Sequence, residues 1–134
     1  MNDDLIMDIR PNTPTYRLKA KSTDNGKTWQ PMDAQQIPSS TNQGVIFRDK
    51  TVGLMIQANN AEQSYSRIKY SLSLSYDNCE TFPFVYMPFA PTWYGGYSQI
   101  IKWSDGVYII SIEYADTFVS VNNNEIAGLI NFIH

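Results

Sequence analysis

Four arginines, at positions 10, 17, 48 and 67, are the residues of this 134-residue chain best suited to hold an anion. A guanidinium is planar and binds a carboxylate through parallel, charge-assisted hydrogen bonds. Because arginines are so few, each is easy to audit for a role. Other chemistries are poorly supplied. The one histidine, His134, is the terminal residue, which argues against histidine-based metal or triad chemistry. The one cysteine, Cys79, has no partner for an internal disulfide. Acidic residues are scattered without ligand spacing, so no metal and no cofactor are expected. A net charge of −3 and a sequence pI near 4.9 offer no basic field for nucleic acid or an anionic membrane. No run approaches the ~20 apolar residues of a membrane helix. The N-terminal stretch has no basic leader of the signal-peptide kind.

The elements that must position these residues announce themselves through an eight-residue pattern that occurs twice. Ser22-Thr23-Asp24-Asn25-Gly26-Lys27-Thr28-Trp29 reads S-x-D-x-G-x-T-W, and Ser75-Tyr76-Asp77-Asn78-Cys79-Glu80-Thr81-Phe82 reads S-x-D-x-C-x-T-F. The Ser and Asp side chains suit a turn whose backbone N–H groups they accept, Gly26 tolerates positive φ, and Thr28 completes the local network. Trp29 and Phe82 then pack between sheets, each ring contributing on the order of 2–3 kcal/mol. This turn is a folding device, and neither Asp24 nor Asp77 is read as catalytic.

Each copy follows an alternating, strand-like segment, and no helix is expected anywhere. Strands are expected over 4–10, 16–21 and near 28–32. The next set falls at 44–48, 52–58, 67–75 and 84–89, and the last at 97–103, 107–114 and 125–133. Residues 33–43 read as a crossing loop. The count is three strands, then four, then three. The fold class expected is therefore all-β, built as β-propeller blades of four antiparallel strands, with approximate blades at 1–33, 44–90 and 97–134 in a single partial domain. A closed propeller needs about four to eight blades, and about two and a half are present. Exposed strand edges then invite either missing N-terminal blades or self-association.

The repeated turn is the Asp-box, and the chain resembles the sialidase (neuraminidase) family over nearly its whole length. Leu5-Ile6-Met7-Asp8-Ile9-Arg10 resembles the family's arginine-ending strand ahead of a box. Arg67 stands eight residues before Ser75, at the family's spacing for a further arginine. Tyr97-Ser98 resembles the Tyr-Ser pair that opens an inner strand. Glu113, sixteen positions after Tyr97, resembles a glutamate ending an apolar strand, one position later than the family pattern. The Ser104–Gly106 turn is a place where that extra residue could be absorbed.

What the resemblance implies is specific. A sialic acid carries its carboxylate on the anomeric carbon, so Arg10 and Arg67 would be two members of a three-arginine cluster binding it. A carboxylate nucleophile would be repelled there, and Tyr97 would attack in its place, an exception among glycosidases. Its phenol needs a carboxylate to take the proton, and the family's partner for it would lie before Met1. So would the first arginine and the aspartate acid/base, a role worth about 10²–10⁴-fold in rate. Glu113 would hold that first arginine. Tyr94 is the fallback for Tyr97, Trp93 and Phe89 suit core packing better than a glycan rim, and Arg17 and Arg48 read as surface charges.

The implied function is the C-terminal part of an exo-α-sialidase, a retaining glycosidase acting on sialylated glycoconjugates, with the isolated chain close to inactive. Bacterial members of that family are commonly exported. The alternative is a non-catalytic Asp-box module for glycan binding or structure, which would keep the arginines without needing Tyr97.

Overall fold

The computed structural model describes residues 3–114 and 123–131, and they form an all-β, antiparallel structure. Twelve strands follow in order: β1 (Leu5–Ile9), β2 (Thr15–Tyr16), β3 (Leu18–Ser22), β4 (Gln30–Pro31), β5 (Pro38–Ser39), β6 (Val45–Asp49), β7 (Leu54–Asn60), β8 (Tyr70–Ser75), β9 (Phe84–Tyr86), β10 (Gly95–Ser104), β11 (Val107–Tyr114) and β12 (Asn123–Asn131). Three sheets carry the architecture: β1-β3-β4, β6-β7-β8-β9 and β10-β11-β12. Their strand counts are those expected from the alternation.

Several strands are shorter than expected, with β4 only Gln30–Pro31, β8 beginning at Tyr70 and β9 ending at Tyr86, and two changes reach further. The strand read over 16–21 is broken at Arg17, so that β2 and β3 belong to different sheets. The Arg17 amide donates to the Ile37 carbonyl at 2.7 Å, and β2 pairs with β5 inside the segment read as a crossing loop. The last strand starts at Asn123 rather than 125; Ile133 and His134 lie outside the described residues, as do Met1 and Asn2.

Strand β7 shows why the middle sheet organises the molecule. All seven of its residues are buried, because both of its faces are covered. Leu54, Ile56 and Ala58 join Tyr70, Leu72, Ile100, Tyr108, Ile110 and Ile112 in a core shared with β10 and β11. Met55, on the opposite face, packs with Ile37, Cys79 and Phe82, with Ile6 and Ile46 against them. Fully burying one such aliphatic or aromatic side chain contributes about 1.5–3 kcal/mol. Period-two alternation therefore decides only which neighbouring sheet each side chain meets.

The repeated turns are closed by their own side chains. Asp24 Oδ1 accepts the Thr28 amide at 2.9 Å and Asp24 Oδ2 accepts the Thr28 hydroxyl at 2.7 Å. Asp77 does the same for Thr81, at 2.9 and 2.5 Å. Ser22 Oγ takes the Gly26 amide at 2.8 Å, and Ser75 Oγ takes the Cys79 amide at 2.9 Å. Gly26 adopts φ +86° and Cys79 φ +67°, so the cysteine occupies a conformation that normally favours glycine. Phe82 is buried as expected, whereas Trp29 is half-buried and donates through its indole to the Gly26 carbonyl at 3.2 Å.

Register sends the turns and the arginines to opposite ends of the sheets. Leu5 pairs with Ser22 and Ile9 with Leu18, so Arg10 leaves β1 at the end away from the first turn. Met55 pairs with Ser75 and Asn60 with Tyr70, so Arg67 precedes β8 at the end away from the second.

Candidate functional site

Arg67 is held by its backbone. Its segment does not belong to β8, which begins only at Tyr70 after Lys69 at φ +52°. The Arg67 carbonyl accepts the Gly95 amide at 3.0 Å, and the Lys69 amide donates to the Pro91 carbonyl at 3.1 Å. Asn60, 1% exposed, donates to both the Ile68 and Gly95 carbonyls at 3.2 and 3.1 Å. Asn42 in turn donates to Asn60 Oδ1 at 2.7 Å. A buried asparagine pair thus staples the arginine loop to the start of β10.

Tyr97 is aimed by a bulge. Gly95 pairs with Tyr114 and Ser98 with Ile112, so Gly96 and Tyr97 together oppose Glu113. One extra residue bends a strand and re-aims its side chain. A second irregularity lies between Lys102 and Ser104, next to the turn where sequence spacing had left room for an insertion. The Tyr97 amide lies 3.5 Å from Glu113 Oε2. Glycine at 96 leaves room there: a Cβ would stand 3.0 Å from Glu113 Oε2 and 3.3 Å from Arg67 Nη1, so a larger residue would push those side-chain ends aside.

The four sequence-predicted residues come together. Arg10 Nη1 donates to the Tyr97 hydroxyl at 3.3 Å across 87 residues of chain. The Arg67 guanidinium carbon lies 5.4 Å from the Tyr97 ring centroid, a cation–π geometry. Arg67 Nη1 and Glu113 Oε2 are 3.7 Å apart, an ion pair too long for a hydrogen bond. Glu113 therefore faces Arg67, where the resemblance had given it another arginine. Tyr97 is 43% exposed, and the Arg67 and Glu113 side chains 35% and 30%. Two cations and one anion at this degree of exposure leave a net positive, water-accessible patch with N–H donors to offer.

A cleft of about 290 Å³ opens beside it, lined by Asp8, Arg10, Arg17, Gln43, Gly44 and Tyr97. A larger cavity of about 580 Å³, between β3 and residues 31–36, holds none of Arg10, Arg67, Tyr97 or Glu113.

Two other arginines correct the sequence reading. Arg17 is buried, not a surface charge: its guanidinium pairs with Asp8 through two nitrogens and donates to the Asn42 carbonyl at 2.9 Å. Gly44 makes room for that pair, since a Cβ would stand 2.8 Å from Asp8 Oδ2. Asp8 shares a strand face with the half-buried Ile6, and that shared face was the available signal that it needs a buried cation. Arg48 is half-buried and donates to the Asp4 carbonyl at 2.9 Å and to Asn78 Oδ1 at 3.3 Å. Trp93 stacks on Phe89 at 4.2 Å and both pack on Tyr70, which makes them core residues. Tyr94 is exposed and takes no part in the cluster.

No protein-family model matches the chain, and no curated protein does either. Among solved structures, a Hadza microbial sialidase, Hz136, superposes with a TM-score of 0.70 over 83% of this chain at 16% sequence identity. The fold is sialidase-like over that stretch. The chain spans 23% of the length of that structure. At this identity the likeness concerns the path of the backbone.

Proposed function

We propose that the chain is the C-terminal part of the catalytic β-propeller of an exo-α-sialidase, a retaining glycosidase that releases terminal sialic acid from glycoconjugates. The two repeated turns are its Asp-boxes, on the side away from the substrate. One observation carries the reading: on one exposed tyrosine, Tyr97, the Arg10 guanidinium meets the hydroxyl and the Arg67 guanidinium meets the ring, the three residues coming from three different sheets or their loops. Arg10 and Arg67 bind the substrate carboxylate by charge-assisted hydrogen bonds. Tyr97 Oη attacks the anomeric carbon and gives its proton to a carboxylate from the rest of the propeller, while an acid from there protonates the glycosidic oxygen, so that the glycosidic bond breaks and the aglycone departs as an alcohol. Water then cleaves the sialyl–tyrosine bond, returning the phenol and free sialic acid. Glu113 orients Arg67.

The proton acceptor for Tyr97 is not in this cluster. Among the described residues its hydroxyl is bonded to Arg10 and to no carboxylate. That observation favours a second reading for residues 1–134 taken alone, a sialic-acid-binding module without turnover. Titration of the folded chain with free sialic acid, followed by NMR, tests the shared claim. Binding is expected in the wild type and lost in Arg67→Ala. Tyr97→Phe in a longer protein carrying the rest of the propeller separates the two readings: full hydrolysis of a fluorogenic sialoside by that variant ends the nucleophile assignment.

A further inference from the structure

Gln43 lines the same cleft as Arg10 and Tyr97, and sequence reasoning gave it no role. Its Oε1 accepts the Ser98 backbone amide at 2.9 Å, across 55 residues of chain. Ser98 follows Tyr97 directly and is the first residue back in register after the bulge. A backbone N–H can only donate, so it fixes which branch of the amide is the oxygen; the Nε2 branch, with two N–H donors, is the other.

The segment bearing Gln43 is rigidly seated on both sides. The Asn42 carbonyl is held by buried Arg17 and its side chain by Asn60. Gly44 packs against the Asp8–Arg17 pair. A side chain placed by such supports is preorganised for contact with a ligand.

We propose that Gln43 is a positioning and specificity-determining residue of this site: Oε1 clamps the strand that carries Tyr97, and Nε2 donates to the carboxylate of the bound ligand beside Arg10. The proposal rests on the sialic-acid reading above. It accounts for a neutral amide at this point. A carboxylate could still accept the Ser98 amide, but it would repel an anionic ligand and offer it no donor.

Two variants of the whole chain separate the clamp from the donor. Gln43→Met keeps length but loses the oxygen, and the Ser98 amide is expected to exchange with deuterium about tenfold faster or more, with Leu72 and Leu74 unchanged. Gln43→Glu keeps an acceptor, so Ser98 protection is retained. Its affinity for free sialic acid falls about tenfold or more, and falls less for the sialic acid methyl ester. Unchanged Ser98 exchange in Gln43→Met overturns the clamp. Wild-type affinity in Gln43→Glu, with binding lost in Arg67→Ala, overturns the donor while the sialic-acid reading stands. A wild-type chain that gives no response to sialic acid overturns that reading and the donor with it, and the Ser98 exchange still decides the clamp.

Discussion

The two ends of the β10–β11 hairpin carry similar side chains and use them differently. At the hairpin-turn end, Asp49 is 3% exposed and saturated with donors: the Tyr108 hydroxyl at 2.7 Å, the Thr51 amide at 2.9 Å, the Thr51 hydroxyl at 2.5 Å and Lys102 Nζ at 3.0 Å. At the other end, Tyr97, Arg67, Glu113 and Arg10 meet through long, exposed contacts. Both ends join a tyrosine, a carboxylate and a cation across neighbouring sheets. The first is a closed network, in which low dielectric makes each bond strong and each loss costly. The second keeps donors in water, where exposed ion pairs contribute about 0–1 kcal/mol and remain open to exchange for a ligand. Charged residues at a sheet interface are thus closed off or open to a ligand according to how far their bonds are already satisfied.

That contrast can be broken most forcefully at Asp49. Asp49→Ala removes the acceptor of the Tyr108 hydroxyl and of both Thr51 donors, while Lys102 keeps Asp105 at 3.1 Å and the Thr51 hydroxyl at 2.7 Å, and is expected to cost about 2–3 kcal/mol in urea denaturation, with an unchanged slope. Sialic acid affinity of the folded fraction should not move. Arg67→Ala should invert the outcome: affinity falls about tenfold or more, while the unfolding free energy falls by less than about 1 kcal/mol. Equal stability losses from both variants would erase the distinction.

A pH titration sharpens it further. Burial alone would raise the Asp49 carboxyl, but hydrogen bonds from Thr51, Tyr108 and Lys102 outweigh it and hold the group below the ordinary carboxylate range. Asp24, half-buried at its turn, is lowered from 3.8 to about 2, first by the Thr28 amide and then by the Thr28 and Ser22 hydroxyls. Carboxylates lowered on folding contribute stability that is present above their unfolded values and lost as pH falls through the folded ones. Stability should therefore decline from about pH 4 towards pH 2, and Asp24→Asn should flatten that limb. The smallest effect is expected at Gly96. Gly96→Ala pushes a methyl against Glu113 and Arg67 and should weaken sialic acid binding about threefold, roughly 0.6 kcal/mol, with stability nearly unchanged. No change in affinity there would mean that the Arg67–Glu113 spacing is not what binding reads.

Legibility followed the range of the interactions. Both repeated turns were readable because Ser and Asp accept backbone amides at most four residues away and the Thr hydroxyl closes back on the same Asp. The three sheets were readable because alternation is a property of consecutive residues. Arg67 could be picked out through its distance from a turn, and Tyr97 through the Tyr-Ser pair of the family resemblance. Nothing local separated Arg17 from Arg10. Both stand near Pro-rich breaks, and one became buried only because Asp8 and the Asn42 carbonyl wait for it. Nor did the polar stretch around Asn42 and Gln43 differ in composition from a plain loop, although its side chains hold Asn60 and Ser98, 18 and 55 residues away.

The order of residues by itself determined alternating strands and two self-bonded turns, and so an all-β chain, since those features need only neighbours along the backbone. Tertiary structure alone decided which charges are buried, where the β10 bulge turns Tyr97, and that Arg10 reaches it. Those outcomes depend on desolvation and on contacts between residues up to 87 positions apart, and a linear pattern carries neither.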